Sequence, residues 1–326
     1  MTVFLTGGSG FLGSHVAEVL KERGHDIIAL VRPTSRTEHL SSLGVRMHEG
    51  SLEEPESLAP ALRESDVVVH VAGRIKAVRP ADFYRVNEQG TRGLALAADK
   101  YARGGRFILV SSIAAQGPGG GPRERDEGLP EAPVTEYGRS KLAGEKALLE
   151  AKGDLDVTIL RPPIIYGPRD QEFLQVFQVA SRLGLVLCLE REQTVSLVHG
   201  RDCARSIVAA AEAEHTPRTT YLMDDGGLHT WPSFAADLGR VLKKRLHVLR
   251  APRAGFLAVA WVWQTWGRVF NTPVVMSVDK IHEAEERYWV AGNAAIKRDL
   301  GFVPEFDLES GMRDTIDWAR REGLMK

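Results

Sequence analysis

The sequence predicts an α/β fold: a doubly wound parallel sheet followed by a smaller second unit. Three observations predict it. Short apolar runs alternate with helical patterns through the first half of the chain. One of those runs, Asp66–Val71 (DVVVHV), is apolar almost throughout, as a strand covered on both faces must be. A glycine-rich turn stands between the first apolar run and the first helical pattern.

Each element follows in order. Thr2–Thr6 reads as the first strand. Gly13–Arg23 reads as a helix, with Val16, Val19 and Leu20 on one face and Gly24 as its stop. Asp26–Val31, Val45–His48 and Asp66–Val71 read as the next three strands. Phe83–Tyr101 reads as a long helix, Arg106–Ser111 as a fifth strand, Tyr137–Ala151 as a helix and Val157–Leu160 as a sixth strand. Short connections between parallel strands imply right-handed crossovers. Gly117–Pro133 is a long loop of low hydrophobicity, of the kind that is functional or mobile. After Pro162-Pro163 the alternation fades. A first domain is therefore expected at 1–165 and a mainly substrate-binding one at 166–326, with segments near 195–215 returning to the first. Thr315–Glu322 reads as an amphipathic terminal helix.

Composition excludes several classes. The chain has 326 residues, enough for one large domain or two, and 43% are hydrophobic. Lys and Arg total 42 against 43 Asp and Glu, so no broad basic field for nucleic acid exists. Two cysteines, Cys188 and Cys203, exclude a disulfide framework and a cysteine-based zinc site. They read as thiols of a reducing compartment. The N-terminus has no basic leader, and no run of about 18 apolar residues occurs. A cytoplasmic protein is expected. No HxH or HExxH spacing occurs, so no metal is expected.

Thr6-Gly7-Gly8-Ser9-Gly10-Phe11-Leu12-Gly13 carries the first chemistry. Gly7 allows a tight turn, Gly10 close approach of a pyrophosphate, and Gly13 close packing of helix on strand. The phosphates would sit at the helix N-terminus, on free N–H groups. At the end of the second strand an acidic residue would hold the ribose 2′-hydroxyl of NAD. Here stand Val31, Arg32 and, after a turn, Arg36, with no carboxylate at hand. Guanidinium suits a 2′-phosphate, which favours NADP(H) and leaves NAD(H) open. The plainer alternative for Arg32 is a solvated surface charge.

Ser112, Tyr137 and Lys141 form the second constellation. Tyr137 and Lys141 stand at i and i+4, on one helical face. A neighbouring ammonium lowers a phenol's pKa, so Tyr137 can exchange a proton with a carbonyl or alcohol while hydride moves to or from nicotinamide. Ser112, after a central strand, can hydrogen-bond the same oxygen.

The chain resembles the extended short-chain dehydrogenase/reductases of the NAD-dependent epimerase/dehydratase type. The resemblance rests on TGGSGFLG at 6–13, HVAG at 70–73, VNEQGT at 86–91, VSS at 110–112, YGRSK at 137–141, RPPIIYGP at 161–168, LVHGRDCA at 197–204 and LGFVPEFDLESGM at 300–312. It implies a Rossmann dinucleotide-binding domain. It implies cofactor contacts at Phe11 and Leu12, at Ala72 and Gly73, at Pro162 and Pro163 beside the nicotinamide, and at Lys141 on the ribose. Ser51 and Leu52 occupy the adenine position, where such proteins usually carry Asp. Asn87 would support the site from the following helix, and His199 and Asp202 would anchor the substrate side. A homodimer through the Tyr137 helix is implied.

Departures narrow the chemistry. Ser112-Ile113-Ala114 lacks the acidic pair of sugar-nucleotide dehydratases. Pro163-Ile164-Ile165 is apolar where many epimerases carry Asn. The segment 254–270 (AGFLAVAWVWQTWGRVF), similar to the hydroxysteroid-dehydrogenase-like branch, carries three Trp between Arg253 and Arg268. It suits a buried or interface helix, a lid over an apolar pocket, or a helix lying on a membrane surface. The upstream basic run Arg240–Arg250 would assist the last. The expected activity is interconversion of a ketone and a secondary alcohol on a fairly apolar small molecule. Two alternatives stand: a nucleotide-sugar epimerase with bound NAD, and a non-catalytic NAD(P)-binding sensor.

Overall fold

The computed structural model describes residues 1–122, 126–214, 216, 219–257 and 278–326. The chain begins β1 (Thr2–Thr6), α1 (Phe11–Glu22), β2 (Asp26–Val31), α2 (Glu38–Ser42), β3 (Arg46–Glu49), α3 (Ala59–Leu62) and β4 (Val67–His70). It continues α4 (Pro80–Tyr84), α5 (Thr91–Tyr101), β5 (Arg106–Val110), α6 (Ile113–Gln116), α7 (Glu136–Ala151), β6 (Asp156–Arg161) and β7 (Ile164–Tyr166). Then come α8 (Gln171–Leu183), β8 (Leu185–Leu189), β9 (Thr194–Val195), β10 (Leu197–His199), α9 (Gly200–Glu212) and β11 (Thr220–Leu222). The described residues end with β12 (His229–Thr230), α10 (Trp231–Leu242), β13 (His247–Ala251), α11 (Val278–Glu285), β14 (Tyr288–Trp289), α12 (Ala294–Leu300) and α13 (Leu308–Arg321).

Seven parallel strands form the central sheet in the order β11-β6-β5-β4-β1-β2-β3. The order reverses between β1 and β4, which places the ligand crevice outside their carboxyl ends. Val67, Val68 and Val69 are all buried, because helices cover both faces. On one face α1 and α9 pack together over Val3, Leu5, Val69 and Ile108. On the other, α3, α5 and α7 cover Phe4, Val68, Phe107 and Leu109. The seventh strand comes from residues 220–222, so the sheet draws on the chain beyond 165.

A third apolar cluster lies at the carboxyl end of the sheet. It joins Phe177 of α8, Phe234 and Leu238 of α10, Met312 and Ile316 of α13, and Ile113 and Ala114 directly after Ser112. Asp202 is buried and binds this region to α9: it accepts from the Glu305 and Phe306 backbone, both at 2.9 Å. His199 packs on Phe306, ring centroids 4.1 Å apart.

The structure redraws some expected boundaries. The helix expected over 83–101 is α4, a π turn at Arg85–Gly90, and α5. The terminal helix starts at Leu308, seven residues before the expected Thr315, because Asp307 caps it from Ser310 N at 2.8 Å. The described residues of the loop over 117–133 are tied down at three points. Gln116 Nε2 donates to Asp126 O at 3.0 Å, Ala132 N to Gln116 O at 2.8 Å, and Gly119 N to Tyr288 O at 2.7 Å. The Trp-rich stretch singled out in the sequence lies, from residue 258 onward, outside the described residues.

Candidate active site

The first part of the site is the turn between β1 and α1. Gly7 has φ +74, and a Cβ there would stand 2.6 Å from Ala72 N. A Cβ on Gly13 would stand 2.0 Å from Gly7 O. Both positions exclude any side chain. Gly10 caps α1 with no side-chain hydrogen bond and no acidic residue follows in the first turn. The N–H groups of Phe11, Leu12 and Gly13 thus face outward without helical acceptors. The Leu12 side chain is buried in the core, so only its backbone reaches the crevice.

A cavity of about 160 Å³ lies on this helix end, lined by Gly8, Ser9, Gly10, Phe11, Ser14, Arg36, Glu38, His39 and Arg169. Two guanidiniums and a bare helix N-terminus fit the pyrophosphate and ribose phosphate of a dinucleotide. Of the two arginines expected here, only Arg36 lines the cavity. Arg32 is exposed on the turn before it, its N–H donating to Ser35 Oγ at 3.0 Å. The expectation that no carboxylate stands nearby is corrected: α2 folds back and brings Glu38 to the wall.

Arg169 is the residue that sequence reasoning missed. It donates to Ser14 Oγ at 2.8 Å and to Glu18 Oε2 at 2.7 Å, and stands 2.9 Å from His15 Nδ1. Burial alone would raise the Glu18 carboxyl, but His15 and Arg169 overcome it and hold it down at about 2. Its signal was adjacency, since it directly follows the RPPIIYGP motif.

At the end of β4 a hydrogen-bonded relay fixes the crevice wall. Ala72 N donates to Thr6 Oγ1 at 3.2 Å, and Thr6 Oγ1 lies 2.6 Å from His70 Nδ1. His70 Nε2 lies 3.1 Å from Thr91 Oγ1, which donates to Asn87 O at 2.8 Å. The Thr91 and Ala72 donors leave one consistent tautomer: Nε2 carries the proton and Nδ1 accepts. Burial, with Lys141 adding, lowers this imidazole to about 3, so it stays neutral. Asn87, on the π turn, holds Arg74 N at 2.7 Å and Arg74 O at 3.0 Å, and reaches Ser140 Oγ at 2.9 Å.

Ser112, Tyr137 and Lys141 meet at the carboxyl end of β5. Ser112 caps α6, accepting from Ala114 N at 3.1 Å. Thr135 caps α7 by accepting from Gly138 N at 3.0 Å, which places Tyr137 and Lys141 on its first turns. Asp279 of α11 accepts from Glu136 N at 2.9 Å and reinforces the same helix end. Lys141 Nζ donates to Val110 O at 2.8 Å and would stand 3.5 Å from a Cβ on Gly73. Burial lowers its ammonium to about 8, against the pull of Glu145. Tyr137 differs from expectation: burial pushes its phenol up, opposed by the Ser112 hydroxyl and by Lys280, and not by Lys141.

Below Lys141 lies a buried ion network with no counterpart in the sequence reading. Arg161 donates to Glu145 at 2.5 and 3.0 Å and to Glu131 of the 117–133 loop at 2.7 Å. Ser111 also donates to Glu145. Phe83 stands beside Tyr137, ring centroids 6.2 Å apart, and Tyr137 packs against the third cluster, as do Val134, Ile164 and Phe173. Lys76 pairs with Glu172 at 2.5 Å on the α8 side. Pro162 and Pro163 are buried at the end of β6, and Pro162 O accepts from Ile113 N at 2.9 Å. Ser51 and Leu52 follow β3, where Ser51 N meets Ser57 Oγ at 3.3 Å and Leu52 packs against the second cluster.

The model of the NAD dependent epimerase/dehydratase family matches residues 3–222. A ceramide reductase of Caulobacter vibrioides is 33% identical over 99% of this chain and 96% of its own. A UDP-glucose 4-epimerase of Vibrio cholerae is 26% identical over 96% of this chain and 94% of its own. The crystal structure of gox2253 superposes with a TM-score of 0.81 at 26% identity, covering 100% of this chain and 99% of that one.

Proposed function

Since the chain belongs to the NAD-dependent epimerase/dehydratase family and is an NAD(P)-dependent enzyme of the extended short-chain dehydrogenase/reductase type, we propose that it interconverts a ketone and a secondary alcohol on a fairly apolar small molecule, with NADP(H) as its preferred dinucleotide. The observation that carries this reading is the Ser112–Tyr137–Lys141 set, with Phe83 beside Tyr137 and Tyr137 packed against an apolar cluster that Val134, Ile164 and Phe173 also join. The ceramide reductase relative supports the reductase sense and an apolar substrate.

Gly7, Gly10 and Gly13, with Arg36 and Arg169 at its phosphates, would hold the dinucleotide, which when bound would supply or accept the hydride. The chain's own residues handle the proton and the orientation. The Ser112 hydroxyl donates a hydrogen bond to the substrate oxygen and fixes the carbonyl plane. The Tyr137 hydroxyl delivers its proton to that oxygen. Burial keeps the phenol protonated at neutral pH, which suits the reductive direction. Lys280 then stabilises the phenolate left behind, and Lys141 would hold the ribose. Exposed Leu96 on α5 and Leu149 on α7 support pairing of two copies through those helices.

Tyr137→Phe tests the assignment. Turnover of an apolar ketone should fall at least about a thousandfold, with cofactor affinity within a factor of two or three of wild type. Undiminished activity would remove Tyr137 from the chemistry. The epimerase relative supports a second reading, in which the purified protein retains NAD(H) and converts a nucleotide sugar with no net consumption of cofactor.

A further inference from the structure

Away from the crevice, a leucine-rich face stands open to solvent. β8 and β13 form a separate two-stranded parallel sheet, in register Leu187↔Leu249. Its inner row, Val186 and Val248, packs on the third cluster. Its outer row does not: Leu187 is 52% exposed and Leu249 51%. The helix leading into β8 continues the face. Val179 and Leu183, one turn apart on α8, are 45% and 68% exposed. Parallel strands are ordinarily covered on both faces, and leucines are not the residues that solvent selects there.

Charge says what covers it. The stretch 240–253 (RVLKKRLHVLRAPR) holds six Arg and Lys and no Asp or Glu, in a chain whose net charge is −1. Arg182, Lys243, Lys244, Arg245 and Arg250 are exposed around the leucines. Among the described residues none of these five pairs with a carboxylate; Lys244 Nζ donates to the backbone oxygen of Ser181 at 2.8 Å. Glu190 and Glu192 lie beyond the end of β8. An apolar centre ringed by unpaired cations is complementary to a bilayer surface, where leucines enter the acyl boundary and cations meet anionic headgroups.

We propose that the β8–β13 face, with the end of α8, docks on an anionic lipid surface. The proposal stands on this surface alone, whichever carbonyl the site reduces. A second copy of the chain is disfavoured as occupant, because the same face would bring one ring of cations against another.

Vesicle co-sedimentation of the full chain tests it. Vesicles of phosphatidylcholine with about 30 mol% phosphatidylglycerol should take up the protein at least about tenfold better than phosphatidylcholine alone, and about 0.5 M salt should release it. Leu187→Ser/Leu249→Ser should cut the partition about tenfold or more by removing insertion. Arg182→Gln/Arg245→Gln/Arg250→Gln should cut it by a similar factor and flatten the salt dependence. Dinucleotide binding, followed by fluorescence, should be unchanged in both variants, which separates lost docking from lost folding. No uptake of the wild type, wild-type uptake by either variant, or a vesicle-free dimer that the leucine variant dissolves would each overturn the proposal.

Discussion

Arg169 has φ +74, a conformation that L side chains rarely adopt. Its guanidinium is held against Ser14, His15 and Glu18, so the strained backbone is over-determined by its own side chain. It lines the same cavity as Arg36, yet on the proposed reading the two would do different work. Arg36 follows β2, where a ribose 2′-phosphate would lie. Arg169 is bonded to the first turn of α1, where any dinucleotide places its pyrophosphate. Arg36→Ala should therefore weaken NADPH about tenfold or more while moving NADH little, since a charge-assisted hydrogen bond contributes about 1.5–3 kcal/mol. Arg169→Ala should weaken both by a common factor. Fluorescence titration of the four pairs checks this, and equal losses of both dinucleotides in the Arg36 variant would remove the 2′-phosphate assignment.

At the scale of elements, α7 is held from three sides: Asp279 and Thr135 at its N-terminus, and Arg161 of β6 through Glu145 at its third turn. Glu145 and Arg161 are both buried, so breaking the pair leaves a charge with no water to solvate it. Arg161→Met should cost about 3–5 kcal/mol in urea unfolding. Arg161→Met/Glu145→Gln should lose markedly less, and equal losses would show that the pair matters only as volume. The central strands and α7 were legible in the sequence because their signals are local. Apolar runs of strand length, and Tyr137 and Lys141 at i and i+4 on one helical face, need no knowledge of distant residues. The network was not legible, because nothing local pairs Glu145 with Arg161, which stands in the sequence only as the first residue of the RPPIIYGP motif. Only the sheet order brings Ser111, Glu145 and Arg161 together with Glu131 of the loop. The split of the 83–101 helix escaped for a related reason: its π turn places Asn87 toward Arg74 and Ser140, contacts made across the fold.

At the scale of the molecule, buried titratable groups set how stability follows pH. His70 falls from 6.5 to about 3 and His15 is lowered too, both through burial. Below about pH 6.5 the unfolded chain binds protons that these folded imidazoles refuse, so stability is lost as pH falls. Asp170 acts oppositely, since burial raises it to about 6 and the folded state then takes a proton first. Two histidines outweigh one carboxylate. Between pH 7.5 and 6 the unfolding free energy should drop by about 1 kcal/mol, read as a lower urea midpoint; a flat midpoint would mean that the imidazoles open to water. The sheet itself carries a consequence for synthesis. Its last strand, β11, is three residues long and sits against β6. A ribosome releases β6 some sixty residues before its cover. During that interval the nascent sheet shows a bare, apolar edge, the template on which other chains pair. Translation halted in the gap would thus yield an aggregating fragment, so the second half of the chain is also the first half's protection.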